Sequence, residues 1–207
     1  MIFFRVGLEK VITLPPPKIL DIDEVEEVKR IVAVRTPDQV ESILNHDQVP
    51  FYAIREVCNK HGLEFHTHEF NQIVEESAII IRKFKDHFNR DRPVEVYPEL
   101  NTLPSKTNKT RSYPSGHAAQ SMIIARYVAG KVPKLEKELM KAAYECGYGR
   151  VLAGFHYLSD YEVGNLLGEK MYVLMNKMDY GAELPEDTAI GTRIKFKDLS
   201  KSLKDLF

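Results

Sequence analysis

Hydrophobic positions recur along this chain at helical rather than strand spacing. Ile22, Val25, Val28, Ile31 and Val32 mark one short helix. Thr36-Pro37-Asp38-Gln39 offers the start of a second, with an N-cap, a proline at the first helical position and a capping-box glutamine. Gly62 fits the end of a third helix over Phe51 to His61. The longest stripe runs through Phe70, Ile73, Val74, Ile80, Ile81, Phe84 and Phe88, and predicts a core helix that ends just before Pro93. Three further helices are expected near 116 to 131, 134 to 152 and 156 to 178. The pattern predicts an all-α fold in one domain over 1–207, with its helical core at about 68–180.

The ends read differently. Residues 1–20, with Pro15-Pro16-Pro17, predict an extended arm, and 181–207 a tail with a short strand at Thr192 to Phe196. Pro98 to Pro114 is polar and rich in Ser, Thr, Asn and Lys, so it reads as a loop. A loop that long in a compact domain is usually functional, and the stretch from Val94 to Tyr113 is the expected specificity element.

Composition narrows the function. With 207 residues, 43% hydrophobic, 29% charged and a formal charge of −1, the chain lacks the basic excess of a nucleic-acid binder. Cys58 and Cys146 match no metal or disulfide framework and read as small buried side chains. The start MIFFRVGLEK is too short for a signal-peptide core, and no apolar run approaches the ~20 residues of a membrane span. The expectation is a soluble, cytoplasmic protein without an integral membrane segment.

Candidate chemistry sits where the helical pattern is broken by charge. Leu135, Leu139, Ala142, Ala143 and Cys146 share a face whose next position is Arg150. Beyond Gly154, His156 and Asp160 share a face with Val163, Gly164, Leu167, Met171 and Leu174. Burying a cation, an imidazole and a carboxylate costs several kcal/mol unless each is paired, which asks for a site or an ion-pair network. Upstream, Lys85 and Arg92 stand seven residues apart, about 10 Å along a continuous helix, close enough to converge on one anion. Tyr113-Pro114-Ser115-Gly116-His117 opens a helix, with Ser115 as N-cap and the free N–H groups as an anion site. His66-Thr67-His68-Glu69 shows no third metal ligand and reads as surface or capping residues.

Lys85 with six residues before Arg92-Pro93, then Pro114-Ser115-Gly116-His117, then Arg150 with five residues before His156 and three before Asp160, resembles the three-part signature of the type 2 phosphatidic acid phosphatase superfamily. That superfamily includes the class A nonspecific acid phosphatases and the vanadium-dependent haloperoxidases. The resemblance covers roughly residues 83 to 164 and implies a helical bundle with the site between helices. It implies His156 as nucleophile, Asp160 as its orienter, His117 as general acid, and Lys85, Arg92, Ser115, Gly116 and Arg150 as the phosphate cradle. No metal or other cofactor is required in that scheme. Vanadate would be an inhibitor, or the cofactor if the chain were instead a peroxidase, and a non-catalytic phosphate-binding module is the third alternative. The expected partner is a small phosphorylated substrate; a homodimer is compatible with helical packing but is marked by no patch in the sequence. One position departs from the family: Gly149 stands where a serine usually precedes the third-motif arginine, removing a hydroxyl able to bond phosphate.

Overall fold

Helix α6 (Gly116–Lys131) is the hub of the fold, packed along α7 (Glu136–Leu152) on one side and α8 (Leu158–Asp179) on the other. The structure, a computed structural model, describes residues 8–18, 22–65 and 67–179. Before α6 come α1 (Ile22–Ala33), α2 (Pro37–His46), α3 (Tyr52–Lys60), α4 (Thr67–Phe88) and the single turn α5 (Pro93–Val96). The described residues are helical without strands, as the periodicity predicts. The expected tail strand and His66 lie outside them.

Burial explains why the helices differ in pattern. α6 is lined by Ala118, Ala119, Met122, Ile123, Ile124, Ala125 and Val128, all inaccessible to solvent, so it has no polar face to give it a stripe. α1, α2 and α3 bury only one face each, through Val28 and Val32, Ile43, and Ile54 and Cys58, and all three lie against α7. Thr36 and Gln39 close the expected capping box on α2. α8 crosses α6 at backbone range. A Cβ would lie 2.6 Å from Ser115 O if placed on Gly164, and 2.6 Å from Ala119 O if placed on Gly168. The crossing lets Ser115 N–H donate to Asp160 O at 2.9 Å, which joins the start of α6 to the first turn of α8.

Two helix ends depart from the expected ones. α4 stops at Phe88 rather than just before Pro93, because Asn89 takes a left-handed φ of 48° with its N–H still on Lys85 O. Arg92 therefore sits not on that helix but at the N-cap of α5, on extended backbone. α8 begins at Leu158, so His156 precedes the helix instead of sharing its face. The cause is the turn that ends α7: Gly154 has φ +80°, Gly154 N–H donates to Val151 O and Phe155 N–H to Arg150 O, a Schellman closure. The arm before α1 is a 3-10 turn at Leu8–Lys10 followed by irregular chain that buries Ile12 and Leu14. Both cysteines are buried, with the Cys146 S–H donating to Pro50 O at 3.3 Å.

Candidate active site

Lys85, Arg92, Gly116, His117, Arg150 and His156 line one cavity of about 280 Å³. Five segments meet there. α4 brings Lys85, α5 Arg92, the start of α6 Gly116 and His117, the end of α7 Arg150, and the turn before α8 His156. Asp160 lies just behind His156, inaccessible to solvent, and Ser115 lies at the base of α6.

The hydrogen bonds of His156 assign its protons. Its Nδ1 is 3.1 Å from Asp160 Oδ2, and a carboxylate only accepts, so Nδ1 carries the hydrogen. Its Nε2 is 3.4 Å from Arg92 Nη1, and a guanidinium only donates, so Nε2 keeps its lone pair. Burial, and after it the charges of Arg92, Lys85 and Arg150, hold the ring far below the usual imidazole range. His156 is therefore a neutral imidazole with a basic nitrogen in the cavity. Asp160 reaches it despite the late helix start, because Asp160 occupies the third helical position and its Oδ2 also accepts Tyr157 N–H at 3.0 Å, as a capping carboxylate does.

Lys85 and Arg92 are held by backbone carbonyls, which fix them without neutralising them. Lys85 Nζ donates to Arg111 O at 2.5 Å and Ser112 O at 3.0 Å. Arg92 donates to Thr110 O at 2.6 Å and Phe155 O at 2.8 Å. Burial and the neighbouring Arg92 press Lys85 down to about 7. Burial and Arg150 bring Arg92 to about 10. His117 Nε2 donates to Asp47 O at 2.9 Å, leaving Nδ1 as the atom that exchanges a proton, and burial and Arg150 lower this ring to about 3. Ser115 holds the N-cap position of α6, but its hydroxyl does not cap the helix. Its Oγ is buried and unpartnered among the described residues, as is Arg150 Nε.

Sequence reasoning missed four residues. Asp47, between α2 and α3, accepts from Arg150 Nη1 at 2.9 Å, Ser105 Oγ at 2.6 Å and Lys106 N at 2.8 Å. Burial alone would raise this carboxyl, yet Ser105, Lys106 and Arg150 hold it at about 2. Through these bonds Asp47 also pins the loop, which lends Thr107, Asn108 and Thr110 to the cavity wall. Ser112 donates to Asp160 Oδ2, and Arg90 joins Asp160 to Glu24 on α1. No local signal marks these residues, since the hydrogen-bond partners of their side chains lie 44 to 135 positions away. Gly149 is not among the residues lining the cavity, and a Cβ there would meet Ile43 of α2 at 3.2 Å. Among the described residues there is no cluster of three or more His, Cys, Asp or Glu able to hold a metal.

Comparison with known proteins matches residues 73–182, more than half of the chain, to the PAP2 superfamily. The chain belongs to the PAP2 superfamily. Its match includes all three segments of the signature read from the sequence. Non-specific acid phosphatases are similar to part of it: that of Salmonella typhi is 33% identical over 87 residues, 41% of this chain and 35% of the relative. That of Providencia stuartii is 30% identical over 114 residues, 54% of this chain and 46% of the relative. The chain thus spans less than half the length of these curated relatives. Among solved structures, Aquifex aeolicus LpxE superposes with a TM-score of 0.59 at 21% identity, covering 80% of this chain and 99% of that one. The first transmembrane PAP2 type phosphatidylglycerolphosphate phosphatase from Bacillus subtilis gives 0.54 at 18%, covering 78% and 87%. These two establish the common fold. No helix among the described residues is long and apolar enough to cross a membrane.

Proposed function

We propose that this PAP2 protein is a phosphatase that hydrolyses phosphate monoesters of small molecules through a phosphohistidine. The observation that carries the reading is the His156 ring, its Nδ1–H held by Asp160 and its Nε2 lone pair presented to a cavity lined by Lys85, Arg92 and Arg150. The acid phosphatase relatives support the same class of reaction.

In this mechanism the phosphoryl oxygens lie among Lys85, Arg92, Arg150 and the N–H groups at the start of α6, where negative charge collects in the transition state. The Ser115 hydroxyl and Arg150 Nε, both without a partner among the described residues, are donors that a phosphate would satisfy. His156 Nε2 gives its electron pair to phosphorus as the bond to the leaving oxygen breaks, and His117 Nδ1 supplies the proton that oxygen needs. A low proton affinity suits an acid only once the substrate is present: two negative phosphate charges raise the His117 ring toward the working range. In the second half-reaction His117 takes a proton from water, the hydroxyl attacks phosphorus, and the N–P bond breaks to return neutral His156.

The test is phosphate release from an aryl phosphate, with an alkaline denaturing quench to trap the acid-labile, alkali-stable phosphoramidate. Wild type is expected to turn over, to accumulate the adduct on His156 and to be inhibited by vanadate. Turnover retained by His156→Ala would sink the proposal. A release screen over lipid, nucleotide, sugar and diphosphate substrates then identifies the leaving group, and shortening the 94–113 loop is expected to change that preference more than vanadate affinity.

A further inference from the structure

Asp160 does more than face His156. Its Oδ2 accepts from His156 Nδ1, Tyr157 N–H and Ser112 Oγ, while its Oδ1 accepts from Arg90 Nη1 at 2.7 Å. Arg90 Nη1 also bonds Ser159 Oγ at 2.8 Å, the guanidinium lies 3.9 Å from the Tyr157 ring centroid, and Nη2 pairs with Glu24. The second oxygen of Glu24 accepts Ser159 N–H at 3.2 Å. Glu24 is only 6% exposed and lies on α1, outside the segment matched to the family. A buried chain of alternating charge therefore runs from α1 through Arg90 to the carboxylate behind the reacting ring.

We infer that Glu24 and Arg90 are positioning residues for His156, acting through Asp160. The inference rests on the phosphatase reading, in which His156 takes up a phosphoryl group. When Nε2 is phosphorylated the ring keeps its Nδ1–H and becomes cationic, and Asp160 is the anion that offsets it. Arg90 draws on the same carboxylate from the other side, and Glu24 draws Arg90 back. Removing the Glu24 charge leaves the guanidinium on Asp160 alone and weakens the support for the charged ring. Removing Arg90 takes the donor from Asp160 Oδ1, leaving the carboxylate held through Oδ2 alone, and leaves Glu24 buried without its cation. A merely structural ion-pair network tying α1 to the core would alter stability and leave the ring unchanged.

The experiment uses the full chain with Glu24→Gln, Arg90→Lys and Arg90→Met. Glu24→Gln keeps an acceptor for Ser159 N–H and is expected to lower kcat about tenfold with KM nearly unchanged; Arg90→Met is expected to lower kcat by about 100-fold, the scale of a misplaced catalytic group. Arg90→Lys is expected to recover part of that loss. Proton NMR of the ring Nδ1–H of His156 is expected to shift in Glu24→Gln without any substrate present. Wild-type kcat together with an unmoved ring proton in folded Glu24→Gln would overturn the inference. If Arg90→Met does not fold, Glu24→Gln and Arg90→Lys decide the matter. If the wild type releases no phosphate from any ester, the phosphatase reading falls, and the ring-proton signal alone tells whether Glu24 reaches His156.

Discussion

The bundle α4–α8 and the three helices before it contribute opposite halves of the same site. The bundle supplies the cations and both histidines: Lys85, Arg92, Arg150, His117 and His156. The N-terminal helices and their links supply carboxylates, Asp47 against Arg150 and Glu24 against Arg90. Arg150 is 2% exposed, and a guanidinium so buried is tolerable only with a partner. The region that carries the signature is thus not self-sufficient in charge. Recognition of phosphate demands a concentration of positive charge, and a neighbour outside the signature makes that concentration stable when no phosphate is bound.

The comparison breaks if a residue of the N-terminal region matters as much as the proposed nucleophile. His156→Ala is expected to lower kcat by about 10⁴-fold or more while the melting temperature stays near wild type, measured by phosphate release and calorimetry. Asp47→Asn should act on both axes: about a 100-fold fall in kcat/KM through a misplaced Arg150, and a loss of about 3 kcal/mol in unfolding free energy. Its pH dependence sharpens the point. The folded carboxyl, at about 2, lies below its ordinary value of 3.8, so its contribution is whole above pH 3.8 and is lost as pH falls through about 2. Denaturant titrations of wild type and variant should therefore converge at the acid end.

Lys85 tests the bundle alone. Because its amine is pressed down to about 7, kcat/KM is expected to fall as pH rises above that value, about tenfold per unit once the neutral form dominates. Lys85→Met should be weak throughout and show no such limb. The smallest effect is expected at the seam between the regions. Gly149→Ser places a Cβ 3.2 Å from Ile43 and should cost about 1 kcal/mol, relieved by Ile43→Val. Activity restored above wild type in Gly149→Ser would instead return the hydroxyl to the phosphate.

What could be read in advance follows the range of the interaction. Helices with one buried face, such as α4, announce themselves through spacing, and α2 through its adjacent capping residues. Lys85, Arg92, His117, Arg150, His156 and Asp160 were legible because each breaks or heads a pattern, and because their order and spacing form a recognisable signature. Helix ends were less legible: a left-handed Asn89 and the Schellman turn at Gly154 moved two boundaries, yet the side chains of Arg92 and His156 still reached the cavity. Asp47 and Glu24 were illegible, since an acid in a link or on an amphipathic helix looks like any solvated charge until folding brings Arg150 from 103 positions away and Arg90 from 66. Ser115 occupied its expected position, but the hydroxyl turned from the helix, a choice between rotamers that no spacing encodes.

The thiol of Cys146 offers a clock for the seam itself. It sits one turn before Arg150 on α7, 2% exposed, donating to Pro50 O just beyond Asp47, and burial raises it to about 12. A thiol reagent can reach it only when the N-terminal helices lift away or the whole chain opens. Labelling faster than global unfolding would therefore count how often the carboxylate layer leaves the cationic one, and a bound oxyanion, by replacing Asp47 as the partner of Arg150, would change that frequency.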